Sequence, residues 1–245
     1  MTTLGAFDII RVINLQSRPD RRRDMQRELD QVGLVDDGRV RFVDGVVIDD
    51  AAPFRLVGEH GVFLSHLGIL REAAAAGSSV LILEDDVDFT FAASEWEPPA
   101  GCDIAYGGFS ASDADNLEAS DIMGAHCMGF SARAAIALVP YLEMLLTLES
   151  PPPIDGAYVW FRRKFPDYAT SFADPVIAEQ RPSRSDISGS GRLDRILILR
   201  PLLTIGRSVK RSLERGSLSF GLREAIVVSA VGIAITALVA WVETH

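Results

Sequence analysis

A short apolar run that ends in acidic residues most strongly constrains how this chain can fold. Residues Val80–Leu83 are too few for an ordinary helix, and their branched side chains are typical of a strand buried on both faces. Carboxylates follow at once, at Glu84, Asp85, Asp86 and Asp88. Because open α/β sheets bind ligands at the carboxyl ends of their strands, this sequence predicts a binding site directly after the strand.

The clustered carboxylates indicate a divalent cation. Neighbouring negative charges repel one another, and a hard cation such as Mg²⁺ or Mn²⁺ is the usual reason for a protein to keep them together. In a pleated strand end Glu84 and Asp86 point to the same side, whereas Asp85 faces elsewhere, so we expect the first two to act as a pair. The alternative is a solvated acidic turn in which Asp88 is a helix cap or loop residue.

The charge of the chain is unevenly distributed. The formal net charge is -10, with 16 Lys+Arg against 30 Asp+Glu in residues 1–190 and 8 against 4 in residues 191–245. An acidic body argues against a nucleic-acid partner. Cys102 and Cys127 lack the spacing of metal ligands and predict two ordinary thiols in a reducing compartment.

The C-terminal stretch predicts a membrane anchor. Residues Ala225–Val242 are eighteen positions without a charge, which as a helix span about 27 Å, just enough to cross the hydrocarbon core. Basic residues precede this stretch and few residues follow it, an asymmetry that predicts a cytoplasmic main domain at a bacterial inner membrane. We therefore expect a domain at 1–190, a basic amphipathic segment at 191–224 and a transmembrane helix at 225–242. A buried core helix or a dimerisation helix is the alternative.

Strand and helix patterns alternate along the domain, which predicts an α/β fold. Ser17, with Asp20 three residues later, predicts a capping box at the start of the first helix. The polar stretch from Ser110 to Asp121 predicts a loop that could cover a site. The expected strands are Ile9–Leu15, Val40–Val43, Val80–Leu83, Asp103–Tyr106, Cys127–Phe130 and Tyr168–Phe172. The other expected helices are Gly61–Ala76, Ala132–Leu148 and Asp155–Phe165.

Three blocks occur in a characteristic order: V-I-N-L-Q-S-R-P-D-R-R at Val12–Arg22, G-V-F-L-S-H-L at Gly61–Leu67, and L-I-L-E-D-D-V at Leu81–Val87. Together they resemble glycosyltransferase family 25, the bacterial lipooligosaccharide and lipopolysaccharide sugar transferases related to the collagen galactosyltransferases. Val62 stands where the family commonly has Cys, and Ala125 where it tends to have Thr. Weaker matches are Val43-Asp44-Gly45, Gly124-Ala125-His126, Pro153-Ile154-Asp155, Gln180 and Ser185-Asp186-Ile187.

The resemblance covers about residues 9–187 and implies a GT-A-like, Rossmann-like sheet that binds a nucleotide sugar between flanking helices. It implies metal-dependent, inverting transfer of a hexose, most often galactose, from a UDP-sugar. The acceptor would be a saccharide or a lipid-linked saccharide in the synthesis of lipopolysaccharide or another surface glycan. Glu84 and Asp86 would serve as a variant Asp-x-Asp pair that holds Mn²⁺ or Mg²⁺ at the diphosphate.

Donor-binding residues are expected at the end of the first strand, in the turn after it and in the second block. A guanidinium can pair with a diphosphate, although three successive arginines, Arg21–Arg23, are also typical of a solvated helix face. A lone histidine beside apolar residues, as at position 66, is more often a satisfied core group than a catalyst. The candidate donor-binding residues are Asn14, Arg18, Arg21, Ser65, His66 and Asp85.

Inverting transfer needs a base that removes the proton of the acceptor hydroxyl. Asp155, after a run of prolines, is the candidate, with Asp186 as the alternative. An Asp in this position can equally be a helix N-cap. His126 could contact the metal or the diphosphate, or it could be an ordinary strand residue.

Two other functions compete with an active transferase. A signalling receiver domain would need its acidic pair after the first strand, which is not where this cluster lies. A membrane-tethered sugar-binding or scaffold protein of the same fold, without turnover, is consistent with the departures from the family pattern at Val62 and Ala125. The sequence leaves the oligomeric state open.

Overall fold

The computed structural model describes residues 3–181, which form a mixed α/β fold with a central sheet flanked by helices. Short 3₁₀ helices occur at Thr3–Ala6 and Phe91–Ser94. The strands are β1 (Ile9–Asn14), β2 (Val40–Asp44), β3 (Val80–Glu84), β4 (Val87–Phe89), β5 (Ile104–Ala111), β6 (Ile122–Phe130), β7 (Thr170–Phe172) and β8 (Ala178–Gln180). The helices are α1 (Pro19–Gln31), α2 (Val57–Ala76), α3 (Ala132–Leu145) and α4 (Ile154–Lys164).

The central sheet has six strands in the order β2-β1-β3-β6-β5-β7. Strand β1 runs parallel to β2 and β3, β6 is antiparallel to β3 and β5, and β7 is parallel to β5. The register pairs Asn14 with Asp44 and Ile13 with Glu84. The carboxyl ends of β1, β2 and β3 therefore meet at one edge of the sheet. Strands β4 and β8 form a separate two-stranded antiparallel sheet.

Strand β3 is buried on both faces, which explains its continuous apolar sequence. Val80 and Ile82 belong to the core that packs against α2, α3 and α4. Leu81 and Leu83 belong to a second core, formed with α1, the N-terminal residues and the β4–β8 sheet. Because successive side chains of a strand point to opposite faces, the pleat directs Glu84 toward the α2 side.

The start of α1 differs from the predicted capping box. The helix begins at Pro19, its N-cap is Arg18, and no side chain caps it. Proline at the first position needs no cap acceptor, because it has no N–H. Ser17 is therefore one residue too early to cap the helix, and the Asp20 carboxylate accepts hydrogen bonds from the Arg18 guanidinium instead.

Other boundaries differ from the sequence-based expectations. Helix α2 begins at Val57 rather than Gly61, and α3 ends at Leu145 rather than Leu148. The last expected strand, Tyr168–Phe172, is not the last strand of the structure, because β8 follows β7 and pairs with β4, which comes directly after the acidic turn. The predicted segments 191–224 and 225–242 lie outside the described residues. Within residues 3–181, no helix has the length and apolar character needed to cross a membrane.

Helix α2 packs closely against the loop that follows β2. A Cβ atom on Gly61 would lie 2.5 Å from the Val46 carbonyl oxygen, so only glycine fits at this position. One turn further along the helix, Ser65 Oγ accepts a hydrogen bond of 2.8 Å from the Val46 N–H and donates one of 2.7 Å to the Gly61 carbonyl. Gly61 and Ser65 together hold the loop against the helix.

Replacing Gly61 with Ala should therefore destabilise the protein by about 1–3 kcal/mol, the usual cost of overpacking a tight contact. Gly68 on the same helix is a matched control, because a Cβ atom there meets nothing within 4 Å. Gly68→Ala should instead stabilise the protein by up to about 1 kcal/mol through the higher helix propensity of alanine. Urea denaturation of the two variants measures both changes. Equal effects would contradict the close contact at Gly61.

Candidate functional site

A cavity of about 200 Å³ lies at the carboxyl edge of β1, β2 and β3. One part of its wall is apolar and comes from the end of β1, from the loop between β2 and α2, and from the start of α2. The other part is polar and comes from the acidic turn after β3, from α1 and from β8. The wall is formed by Ile13, Leu15, Arg21, Gly45, Val46, Val47, Ile48, Val57, Gly58, Gly61, Val62, Ser65, Glu84, Asp85, Asp86 and Gln180.

The apolar wall is unusually open to solvent. Val47 is 75% exposed, and Val46 and Val57 are 38% and 42% exposed. Pockets that bind small molecules combine such apolar surfaces with a few polar groups that fix the orientation of the ligand. The Ser65 and Gly61 contacts hold the Val46 backbone in place, so this surface is fixed before any ligand binds. The geometry suits a flat, partly apolar ligand group.

Asp85 ties the acidic turn to the first strand and the first helix. Its Oδ2 accepts a hydrogen bond of 2.6 Å from Asn14 Nδ2, and its Oδ1 accepts one of 2.8 Å from Arg21 Nη1. Asn14 Nδ2 also donates to the Arg18 carbonyl at 3.2 Å. Because both carboxylate oxygens are engaged, Asp85 anchors the turn, and Asn14 and Arg21, both predicted to bind the donor, hold that anchor.

Asp86 is buried and only partly satisfied. Its Oδ2 accepts a hydrogen bond of 3.3 Å from Gln180 Nε2, and Arg21 Nη1 lies 3.7 Å from the same oxygen. Its Oδ1 has no hydrogen-bond partner within the described part of the chain. Burial, followed by the negative charge of Glu84, raises the pKa of Asp86 from 3.8 to about 7.

Glu84 has the opposite environment. Burial by itself would raise its pKa, but interactions with His66, His126 and Arg21 outweigh that effect, and the pKa of Glu84 is lowered from 4.5. His66 Nε2 lies 3.6 Å from Glu84 Oε1. The pKa values of these two carboxyl groups are thus shifted in opposite directions, so Glu84 is held as an anion and Asp86 can keep a proton. Such pairs are typical of functional sites.

Asp88 belongs to a structural ion-pair cluster beside the cavity. Arg181 Nη2 lies 2.7 Å from Asp88 Oδ1, and Arg181 Nη1 lies 3.4 Å from Asp24 Oδ2. The Arg181 backbone N–H donates to the Asp86 carbonyl at 2.6 Å. Glu28 completes the cluster and accepts a hydrogen bond from the Phe89 N–H. Strand β8 is thereby fastened to the acidic turn.

The carboxylates suit a divalent ion that is only partly held by protein. Glu84 and Asp86 both line the cavity, and Asp86 Oδ1 is a buried oxygen with no partner. Carboxylate oxygens are ligands for Mg²⁺ and Mn²⁺, and Mg²⁺ is commonly bound by one or two carboxylates together with substrate phosphates. Within residues 3–181, no set of three or more His, Cys, Asp or Glu side chains is arranged to hold a metal.

The other predicted donor-binding residues serve different contacts. Within the described residues, Ser65 reaches the cavity wall, whereas Asn14, Arg18 and His66 do not. Arg18 pairs with the Asp20 carboxylate at 3.0 Å. His66 is fully buried, and its Nδ1 lies 2.9 Å from the Tyr158 hydroxyl oxygen.

Asp155 lies in the first turn of α4, and the N-cap of that helix is Pro153. The N-cap interpretation of Asp155 is therefore wrong. Asp155 Oδ2 accepts a hydrogen bond of 3.1 Å from the Gly124 N–H in β6, and its Oδ1 accepts one from the Gly156 N–H. Among the described residues that form the cavity wall, Asp155 does not appear. Its proposed alternative, Asp186, lies outside the described residues.

His126 was predicted to contact the metal or the diphosphate, or to be an ordinary strand residue. It lies in β6 and is 5% exposed, and its Nε2 is 3.4 Å from the Ala178 carbonyl oxygen. Burial lowers the pKa of His126, although the charge of Glu84 acts in the opposite direction. His126 therefore contributes to the electrostatics of the site from its interior side.

Sequence reasoning missed the apolar cavity wall, Arg181 and Tyr158, and it named Gln180 only as a weaker match to the family, with no role in the site. The wall had a usable signal, because Val46-Val47-Ile48 is an apolar run in a predicted loop, where exposed apolar residues need a reason. Strand β8 is three residues long, and its central pair joins Asp88 to Glu179, which are 91 positions apart in the sequence. Its neighbours in space could not be read from its own residues.

No protein-family model matches the sequence, and no curated protein matches it. The fold is similar to the crystal structure of a glycosyltransferase involved in the glycosylation of the major capsid of PBCV-1. The match covers 68% of this chain and 82% of that chain. The two share 10% sequence identity, and the TM-score is 0.42. A similarity this distant leaves the activity open.

The raised pKa of Asp86 predicts how stability depends on pH in protein kept free of metal by a chelator. Between pH 4 and pH 7 the folded state binds this proton more tightly than the unfolded state, so the stabilisation is complete below pH 4 and is lost as the pH rises through 7. Asp86→Asn imitates the protonated carboxyl. The variant should match the wild type below pH 4 and exceed it at pH 8 by a few kcal/mol.

Urea denaturation of both proteins across this range, with a chelator present, measures the difference. A difference between the two proteins that does not vary with pH would show that Asp86 is not held in an unfavourable charged state.

Proposed function

We propose that this protein is an inverting glycosyltransferase with a GT-A-like fold, related to glycosyltransferase family 25, that transfers a hexose from a UDP-sugar. One observation carries the proposal: a single cavity joins an exposed apolar wall to a pair of carboxylates in opposite electrostatic states. The ordered sequence blocks at Val12–Arg22, Gly61–Leu67 and Leu81–Val87 support the same function.

The two parts of the cavity match the two parts of such a donor. The uracil ring would lie against Val46, Val47 and Val57, whose exposed surfaces it would cover. The diphosphate would then face Arg21 and the acidic turn, where two carboxylates alone would repel it. Glu84 and Asp86 would hold a Mn²⁺ or Mg²⁺ ion, and the ion would supply positive charge that stabilises the departing UDP.

The remaining residues keep this arrangement rigid. Asp85, bound by Asn14 and Arg21, fixes the acidic turn, and Gln180 orients the Asp86 carboxylate through its Oδ2. Ser65 holds the Val46 backbone in the apolar wall that would bind the uracil ring. Sites that are organised before the ligand arrives lose less free energy on binding. Arg18, which is paired with Asp20, would reach the donor only by giving up that contact.

Asp155 is our candidate for the base that deprotonates the acceptor hydroxyl. Its carboxylate accepts two backbone N–H groups, from Gly124 and Gly156, which fix its orientation. Gly124 lies in β6, which pairs with β3 so that Cys127 is opposite Leu83, the residue before Glu84. The acceptor would therefore approach from the side of β6 and α4, opposite the apolar wall that would bind the uracil ring.

The acceptor that we propose is a saccharide or a lipid-linked saccharide, with galactose as the transferred hexose and lipopolysaccharide or another surface glycan as the product. The uncharged stretch at 225–242 and the basic residues before it favour an anchored protein whose catalytic domain lies on the cytoplasmic face of a bacterial inner membrane. Such an anchor would keep the site near lipid-linked acceptors.

Incubation with a panel of UDP-sugars and Mn²⁺ tests the donor and the metal together. The wild type should release UDP with one hexose donor, most strongly with UDP-galactose, and a chelator should stop the release. Asp86→Asn should lower turnover by about 100-fold or more, because one oxygen ligand near the diphosphate is lost. Asp88→Asn is the matched control within the acidic cluster, and its turnover should stay within about threefold of the wild type, since Asp88 pairs with Arg181.

Equal losses in the two variants would assign the cluster a structural role only. If the protein binds a UDP-sugar without turnover under any divalent ion, the second candidate applies: an inactive, membrane-tethered sugar-binding or scaffold protein of the same fold.

Asp155→Asn tests the base. The substitution keeps the size of the side chain and should lower kcat by about 100- to 10,000-fold, the usual contribution of a general base. The KM for the donor should change little, because Asp155 is not part of the donor cavity wall in the described structure. Steady-state kinetics with saturating acceptor separates the two constants. Retained kcat would leave Asp186 as the base to test next.

Cell fractionation tests the anchor. The full-length protein should sediment with membranes and require detergent for release, whereas a variant ending at residue 190 should not. A full-length protein that remains monomeric in the soluble fraction without detergent would contradict a membrane-anchored enzyme.

A further inference from the structure

The geometry points to His66 as a positioning residue: Tyr158 donates its hydroxyl proton to His66 Nδ1, and His66 directs its Nε2–H at the Glu84 carboxylate. The inference assigns a role to a buried pair that does not touch the donor cavity. It rests on the proposed function in one respect, namely that the Glu84 carboxylate holds the metal.

The contacts form a continuous path through the core. His66 is on α2, Tyr158 is on α4 and Glu84 ends β3, so three separate elements meet at one imidazole ring. His66 Nδ1 lies 2.9 Å from the Tyr158 hydroxyl oxygen, and His66 Nε2 lies 3.6 Å from Glu84 Oε1. Both His66 and Tyr158 are 0% exposed.

The direction of the hydrogen bond follows from the partners. Burial raises the pKa of Tyr158 well above its ordinary value, so its hydroxyl keeps a proton to donate. If Tyr158 donates, Nδ1 is the acceptor and the ring proton is on Nε2, which faces Glu84. The reverse tautomer would place a nitrogen lone pair against a carboxylate, and the two would repel each other.

The ring is held rigidly in this orientation. The Tyr158 ring lies 4.9 Å from the Phe130 ring and 5.9 Å from the His66 ring, centroid to centroid. His66 therefore cannot turn its Nε2 away from Glu84 without displacing a packed tyrosine. At 3.6 Å the Nε2–H dipole favours the carboxylate without consuming an ideal hydrogen bond, so both Glu84 oxygens stay available for a cation.

The same pair links the two sides of the proposed active site. Tyr158 lies three residues after Asp155 on α4, so the two side chains leave the same side of that helix. Helix α4 thus carries the proposed base and, through Tyr158 and His66, orients a proposed metal ligand. A shift of α4 would change both at once.

Long-range ¹H–¹⁵N NMR of metal-free protein labelled at histidine tests the tautomer directly. The wild type should show His66 with its proton on Nε2, and Tyr158→Phe should reduce that preference by removing the donor to Nδ1. Tyr106→Phe is the matched control: Tyr106 is also 0% exposed, and its hydroxyl interacts with Arg162 rather than with His66. It should leave the His66 signals unchanged. A wild-type proton on Nδ1 would overturn the inference.

Mn²⁺ binding, measured by electron paramagnetic resonance, tests the effect on Glu84. His66→Leu should weaken Mn²⁺ binding by about 10-fold or more, as is usual when the group that orients a metal ligand is lost. His66→Gln, which can place an N–H where Nε2 lies, should recover most of the affinity. Equal losses in the Leu and Gln variants, or no loss in either, would overturn the positioning role.

The two readouts separate this inference from the proposed function. If the wild type binds no Mn²⁺, the metal-dependent function fails. The positioning of Glu84 is then decided by the tautomer and by the Glu84 carboxyl ¹³C signal, which should move in His66→Leu and return toward the wild-type position in His66→Gln.

Discussion

The anchoring of Asp85 is the interaction on which the rest of the site depends. Its two carboxylate oxygens are bound by Asn14 and Arg21, which fastens the turn after β3 to the end of β1 and to α1. A hydrogen bond to a charged group contributes about 1.5–3 kcal/mol, enough to hold a turn that carries three adjacent carboxyl groups. With Asp85 fixed, Glu84 and Asp86 must face the cavity rather than solvent.

The pleat of the sheet and the packing of the helices then give the two remaining carboxyls different environments. Glu84 faces the α2 side, where His66 and His126 favour its charge. Asp86 lies in the turn, where burial and the charge of Glu84 oppose its ionisation. A metal-free site of this kind stores an unfavourable charge that a divalent ion would relieve. The apolar wall at Val46 and Val47 belongs to the same cavity, and we propose that it binds the nucleobase of the donor.

The sequence predicts local features well here and distant contacts poorly. The buried strand β3 and the position of the acidic turn follow from periodicity, because the apolar run and its end are local. The first helix shows a limit of such prediction. Ser17 and Pro19 both indicate a helix start, and the helix begins at Pro19 with Arg18 as its N-cap. The roles of Gln180 and Tyr158 depend on contacts across 94 and 92 positions, which no local pattern encodes.

The most direct test of the central claim is NMR of the isotope-labelled protein during titration with UDP and then Mn²⁺. The claim is that one cavity binds a nucleotide diphosphate against the apolar wall and a divalent ion at Glu84 and Asp86. UDP should shift the amide signals of Gly45, Val46 and Val47. Mn²⁺ should then broaden the signals of Asp85 and Asp86 more strongly than those of Ser79 and Ser131, which lie at the opposite end of β3. Unchanged cavity signals, or broadening confined to other acidic surfaces, would contradict the account.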